Sequence, residues 1–236
     1  MTAGVPGGRP ADLYIGIGEP GVPYGPMWAW QVARARAVAA REAPEAIVLV
    51  EHAPVYTLGR ASDPASLLRD EASYVASGAE VHWIDRGGDA TWHGPGQVTG
   101  YPILDLTRDP VRPRDIHRHV WNLEACMIDV AASYGIEAGR AAGRPGIWVG
   151  DAKLAAIGIK VTRWVTFHGF GLNVSPDLSW FEGIVPCGLH GFGVTSLGML
   201  LGSAPPIREV SDRLVAALGT RFGIDPGPEM VIPLSR

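Results

Sequence analysis

Asp151-Ala152-Lys153-Leu154-Ala155-Ala156-Ile157-Gly158-Ile159-Lys160 holds every lysine of the chain, and its continuation to Thr162 decides how the rest of the sequence is read. The apolar run predicts a strand over Leu154–Thr162, with Ile147–Val149 before it and Val165–Val174 after it. Working outward, Pro26 suits the first turn of a helix reaching about Glu42, because Ala-rich sequence follows it. Ala46–Glu51 is a short apolar strand. Glu80–Asp85 alternates, with Val81, Trp83 and Ile84 as its β-formers, and Gln97–Leu106 reads as another strand. From Pro113 to Tyr134 the residues Ile116, Val120, Leu123, Met127 and Val130 recur at three- and four-residue steps, which predicts an amphipathic helix. A last helix spans Ile207–Phe222, with apolar Val210, Leu214, Leu218 and Phe222 and with Gly223 as its C-cap. No repeat, low-complexity run or linker interrupts Ala11 to Phe222. The expectation is an α+β fold: one domain over residues 11–223 with a mixed sheet flanked by helices, a flexible N-terminus over 1–10 and a C-terminal tail over 224–236.

The composition excludes several classes of function. With 47% apolar and 19% charged residues the chain is not disordered, and a net charge of −4 gives no general attraction to nucleic acid or anionic membrane. No stretch approaches the ~18 to 20 apolar residues of a membrane span. Residues 1–10 lack the basic start and apolar run of a signal peptide. Two cysteines, Cys126 and Cys187, do not make a secreted disulfide framework, so a reducing, cytoplasmic setting is expected.

Charge usage is skewed: 18 arginines stand against two lysines. Arginine stays protonated at any accessible pH, whereas a buried or partnered lysine ammonium can release a proton. A lysine surviving in such a chain is a candidate for proton chemistry. Lys153 and Lys160 lie seven residues apart, so one continuous strand points them to opposite faces, and at most one faces a given site.

A second feature is Arg86-Gly87-Gly88-Asp89-Ala90-Thr91-Trp92-His93-Gly94-Pro95-Gly96-Gln97. Its glycines let backbone approach a ligand, while Arg86, Thr91 and His93 supply a cation, a hydroxyl and an imidazole. Neither Walker nor dinucleotide spacing is present. Cys187, between Pro186 and Gly188, is held in a tight turn and is the better nucleophile. Cys126 falls beside Leu123 and Val130 on the buried side of its helix and is expected to be structural. His117 and His119, two apart on a helix, point to different sides. His52 and His82 adjoin strands, and His168 lies in a Gly-spaced strand. No Cys/His spacing resembles a zinc site, so no metal is expected, and a Cys–His protease stays open at this point.

Four motifs then occur in order: Arg86–Gln97, Lys153-Leu-Ala-Ala-Ile-Gly158, Phe167-His-Gly-Phe-Gly-Leu-Asn173 and Pro186-Cys-Gly188. Together with Tyr101-Pro-Ile-Leu-Asp-Leu106 they make the chain resemble the lipoyl(octanoyl) transferase family from about Leu49 to Leu197. Trp92 stands where that family more often has tyrosine. The resemblance implies a fold similar to the catalytic domains of lipoate and biotin protein ligases. It also implies cytoplasmic transfer of an octanoyl group from octanoyl-acyl carrier protein to a lysine of a lipoyl domain. The acceptors would be the lipoyl domains of 2-oxoacid dehydrogenase complexes and the glycine cleavage H protein. It assigns Cys187 as the acyl carrier and Lys153 as its partner. Substrate binding falls to Arg86, Gly87, Gly88, Asp89, Ala90, Thr91, Trp92, His93, Ala156, Ile157, Gly158, Gly169, Phe170 and Gly171.

The chemistry agrees with that assignment. Thioester exchange is nearly isoenergetic and amide formation from a thioester runs downhill, so neither ATP nor a cofactor is expected. The Lys153 cation would favour a Cys187 thiolate and, once deprotonated at the acyl-enzyme stage, would take a proton from the incoming ammonium, which arginine could not do. Ile157, Phe167 and Phe170 are expected to line the acyl tunnel. Arg108, Arg112, Arg114 and Arg118 are the docking candidates for an acidic carrier protein. Lys160 is expected to be an ordinary positive charge that arginine could replace. The rival readings are an ATP-dependent lipoate or biotin protein ligase and a non-catalytic module that binds acyl chains or carrier proteins.

Overall fold

The computed structural model describes residues 7–18, 21–109, 113–184 and 193–234. In chain order its elements are β1 (Arg9–Gly16), α1 (Tyr24–Ala40), β2 (Glu45–Val50), β3 (Val55–Leu58), α2 (Glu71–Ala76), β4 (Glu80–Trp83), β5 (Thr91–His93), β6 (Gln97–Ile103), α3 (Ile116–Ala132), β7 (Gly139–Ala141), β8 (Arg144–Val149), β9 (Ala152–Thr162), β10 (Val165–Asn173), β11 (Gly193–Val194), α4 (Leu197–Leu201), α5 (Ile207–Phe222) and β12 (Ile224–Met230). The main sheet runs β12-β1-β2-β6-β10-β9-β8-β7, with β11 added to β9, and a smaller sheet runs β4-β3-β5. β1 is parallel to β2 and to β12, whereas β2–β6, β6–β10, β10–β9 and β9–β8 are antiparallel. The architecture is the expected α+β arrangement with mixed pairing.

Alternation along the strands sets two cores. Ile47, Leu49, Val98, Phe170 and Leu172 face α3 and α5 and bury against Leu123, Met127, Leu214 and Leu218. Each such side chain contributes ~1.5–3 kcal/mol by leaving water. Their neighbours Val48, Val50, Tyr101 and Ile103 face the other way, under α1 with Met27 and Val38. The cavity described below lies where glycine replaces side chains on β9 and β10.

Helix ends follow local chemistry. The Asp115 side chain accepts from the Arg118 amide and so starts α3 at Ile116, three residues after the expected Pro113, and Gly223 closes α5 at φ 60. Two expectations are corrected. Arg9 and Pro10 belong to β1, so the N-terminal segment is not wholly free. The expected tail places Ile224–Met230 in the sheet, paired parallel with β1. Asp225, Pro226, Gly227 and Pro228 read as turn formers, but an edge strand tolerates proline because one side of its ladder is unpaired. No helix among the described residues is long and apolar enough to cross a membrane.

Candidate active site

A cavity of about 400 Å³ lies between β6, β9 and β10 and a cover formed by the loop from Arg86 to Ala90 together with β5. Its size is that of a small-molecule site, for which ~300–1,000 Å³ is usual. The cover sits close because Gly158 has no side chain: a Cβ there would meet the Gly87 carbonyl oxygen at 2.8 Å and Arg86 Cδ at 2.9 Å. The Gly87 amide donates to the Ile159 carbonyl at 2.9 Å, and the Ala61 amide to the Gly88 carbonyl at 3.0 Å, which stitches the loop down on both sides.

Each expected site residue has a definite place. Arg86 is buried, and its guanidinium donates to the Thr57 carbonyl at 2.6 Å, to Thr57 Oγ1 at 2.9 Å and to the Gly87 carbonyl at 3.1 Å. It braces the loop while lining the cavity. Asp89 accepts from Ser66 Oγ and from the Ala90 amide, both at 2.7 Å. Gly87, Gly88, Ala90, Thr91, His93, Ala156, Ile157, Gly158, Gly169, Phe170 and Gly171 also line the cavity. Trp92 does not. Strand alternation turns it away from Thr91 and His93 into the core of the smaller sheet, stacked on Trp180 at 5.8 Å and edge-on to Phe181. Phe167 is a second correction, because it packs with Met27, Val48 and Ile103 beneath α1.

Lys153 lines the cavity and is buried, with its ammonium 4.9 Å from the Trp148 ring centre. The electron-rich face of an indole attracts a cation at that distance. Lys160 pairs elsewhere: its ammonium meets Asp85 Oδ2, while Asp85 Oδ1 accepts from His168 Nε2 at 3.0 Å. Burial pushes the Asp85 carboxyl up, but hydrogen bonds from Lys160 and His168 outweigh it and hold the acid below the usual range. Lys160 is therefore the counter-ion of Asp85, a positive charge of the kind arginine could also supply. The two lysines serve different surroundings, but a register shift between Lys153 and Ala155 interrupts the alternation on which the opposite-face expectation rested.

Burial also controls the histidines. It lowers His52 and His168 to about 4 and His93 to about 3, so all three are neutral near pH 7. His52 Nε2 meets the Tyr101 hydroxyl at 2.6 Å and its Nδ1 meets the Val22 carbonyl at 2.7 Å. His168 has φ 55, a left-handed conformation that a non-glycine residue holds only when its surroundings enforce it. Here its amide donates to Gln31 Oε1 at 2.9 Å. His117 is exposed and His119 buried, so they do point apart. Cys126 is fully buried, and burial pushes its thiol up to about 12, which excludes a thiolate at neutral pH.

Cys187, with Pro186 and Gly188, lies outside the described residues, and so does Arg112. Of the other docking candidates, Arg118 is engaged by Asp109 at 3.4 Å and Arg114 lies over the Trp164 ring. Among the described residues, no group of three or more His, Cys, Asp and Glu side chains could hold a metal. Tyr24, Thr99, Tyr101, Arg144, Asn173, Phe181 and Val194 also line the cavity. They arrive from six different elements or connections, and no local sequence signal marks them as a group.

The chain matches the lipoyl protein ligase A/B catalytic domain over residues 23–219. It is 46% identical to an octanoyltransferase of Rubrobacter xylanophilus, covering 87% of this chain and 91% of that one. It is 44% identical to an octanoyltransferase of Gloeobacter violaceus, covering 89% and 91%. Among solved structures it resembles a bipartite lipoate protein ligase from Thermoplasma acidophilum, with a TM-score of 0.68 and 15% identity over 95% of this chain and 88% of that one. At that identity the likeness speaks for the fold alone. The sequence matches, covering most of the chain, establish that the protein belongs to the lipoyl protein ligase A/B catalytic domain family.

Proposed function

We propose that the protein is an acyltransferase that moves an octanoyl group from octanoyl-acyl carrier protein to a lysine of a lipoyl domain, through a thioester on Cys187. The acceptors are the lipoyl domains of 2-oxoacid dehydrogenase complexes and the glycine cleavage H protein. The octanoyltransferase names of relatives at 44% and 46% identity support the reaction class.

The observation that carries the reading is the position of Lys153: buried at the cavity wall and paired, through its own strand, with Val194 on β11. In the sequence Cys187 follows Ile184 by three residues and precedes Val194, the β11 partner of Lys153, by seven. In the first half-reaction the Cys187 thiolate attacks the carrier thioester, and the departing carrier thiolate takes a proton from Lys153, whose neutral amine then takes one from the acceptor ammonium. The Lys153 cation favours the thiolate needed for that attack. In the second half-reaction the acceptor amine attacks the new thioester and displaces Cys187. Because the donor is already a thioester, ATP has no step to drive. The cavity, glycine-walled and about 400 Å³, takes the acyl chain. We place the reaction in the cytoplasm, whose reducing poise keeps the nucleophilic thiol free.

The test is transfer without ATP. Octanoyl-carrier protein and an apo-lipoyl domain are incubated with the enzyme, and the acceptor is followed by intact mass. Octanoylated acceptor, lost in Cys187→Ser, supports the reading. Modification only with free octanoate and ATP replaces it by a ligase.

A further inference from the structure

The cavity wall contains a chain of hydrogen bonds whose direction is fixed from one end. The Thr195 carbonyl can only accept, so Asn173 Nδ2 donates to it at 3.0 Å. Asn173 Oδ1 therefore faces Gln97, whose Nε2 donates to it at 2.9 Å and to the Trp92 carbonyl at 3.2 Å. With both amide hydrogens of Gln97 so directed, its Oε1 is left facing His93 Nδ1 at 2.7 Å, and Nδ1 must carry the imidazole proton. Gly171 leaves room for this arrangement, since a Cβ there would meet Gln97 Oε1 at 2.6 Å. A neutral imidazole has a single N–H. Nε2 of His93 is thus a bare lone pair on a cavity-lining side chain, with no hydrogen-bond partner among the described residues.

The Thr195 end of this chain is tied to the strand of Lys153, because the Thr195 amide donates to the Lys153 carbonyl at 3.0 Å, and both Lys153 and His93 line the one cavity. Of the two half-reactions, the first brings a thioester, which offers only acceptors at its reacting atoms. The second brings an amine, which has N–H bonds to donate. We infer that Gln97 and Asn173 are positioning residues that hold His93 in its Nδ1–H tautomer, so that Nε2 accepts a hydrogen bond from the attacking amine and aims the amine lone pair at the acyl carbonyl. This inference rests on the acyl-transfer reading above. As the C–N bond forms and the C–S bond breaks, one hydrogen of the neutral amine stays on nitrogen as the amide N–H, the one held by His93. The other leaves with the displaced sulfur, which becomes the Cys187 thiol. His93 is therefore an acceptor and never a carrier of the proton.

Two measurements on the full-length protein test this. The first is the tautomer: nitrogen-15 NMR of histidine-labelled enzyme, with the His93 signals assigned by their loss in His93→Gln. Nδ1 protonated and Nε2 bare at neutral pH is expected, and a protonated Nε2 overturns the relay. The second separates the half-reactions by single-turnover kinetics, with octanoyl-carrier protein alone and then with acceptor added. Gln97→Leu should slow transfer to the amine about tenfold more than it slows acylation, the effect of one mispositioned hydrogen bond. Equal slowing of both steps overturns the assignment to the amine.

Gln97→Glu adds a readout that a purely structural role would not move. A carboxylate beside Nδ1 favours the imidazolium, which has no lone pair at Nε2. Transfer should then acquire a new loss of rate as pH falls, absent in wild type. The other titratable or charged groups facing His93 are Tyr24 from α1, His52 after β2, Arg86 from the cover loop, His168 from β10 and, through His52, Tyr101 of β6; all are unchanged in this variant. A pH profile of unaltered shape overturns the inference. If wild type forms no acyl-enzyme at all, the transferase reading fails, while the NMR result still decides the tautomer.

Discussion

His119→Leu should stabilise the protein, and more so as the solution is acidified. His119 lies on α3 with its ring 5.2 Å from Phe222, is 2% exposed, and neither ring nitrogen has a hydrogen-bond partner among the described residues. Burial lowers its proton affinity to about 4, with Asp109 acting weakly the other way, against 6.5 for a free imidazole. Between those values the unfolded chain binds a proton that the folded chain does not, so falling pH favours unfolding. Stability is intact above about pH 6.5, declines below it, and the loss is complete near pH 4. For this one residue the loss between pH 7.5 and 5.5 is about 1.4 kcal/mol, since the unfolded imidazole is then roughly nine-tenths protonated. Leucine is close in volume and does not titrate. Removing the unpaired nitrogens adds ~1 kcal/mol at every pH.

Thermal unfolding of both proteins at pH 7.5, 6.5 and 5.5 gives the difference directly, because His52, His93 and His168 are common to both and cancel. At ~2–4 °C per kcal/mol for a chain of this size, the variant's lead in Tm should widen by about 3–6 °C over that range. A lead that stays constant with pH would refute the reasoning, whatever its sign at neutrality.

Other substitutions separate the roles of the site. Lys153→Arg should keep a cation near Cys187 yet lose turnover, because arginine cannot accept a proton. Lys160→Arg should stay near wild type, since a guanidinium also pairs with Asp85; equal rates in both variants would undo the distinction. Lys160→Ala should lower stability by less than ~1 kcal/mol, as that pair is about a third exposed, and urea unfolding measures it. Gly158→Ala drives a Cβ into the Gly87 carbonyl and should cost ~1–3 kcal/mol and impair acylation, whereas Gly139→Ala, with open space around it, should be silent in both assays. Cys126→Ala should leave the octanoyl adduct intact while lowering Tm, because its thiol is buried in the core.

The strands and helices with strong periodicity were legible in the chain. Leu123, Met127 and Val130 mark the buried face of α3, and Ile207–Phe222 is α5 to the residue. What escaped was set by tertiary partners. β12 is a run of Asp, Pro and Gly that becomes a strand only because β1 offers it an edge. Phe167 and Trp92 sit in motifs that do bind the cavity, but strand alternation turns each toward a core instead. His93 was visible as an imidazole in a Gly-rich loop. Its tautomer was not, because that depends on Asn173 and Thr195, 80 and 102 positions further along the chain, meeting Gln97 across β6 and β10. The Asp85–His168–Lys160 cluster was hidden for the same reason.

The central claim is that the acyl group rests on Cys187 beside Lys153. Its most direct measurement mixes enzyme with octanoyl-carrier protein without ATP, quenches in acid, and maps the adduct by peptide mass. One octanoyl group should appear on the Cys187 peptide, be absent in Cys187→Ser, and pass to the acceptor lysine when apo-lipoyl domain is added. Wild-type rates of acceptor modification in Cys187→Ser would contradict the account.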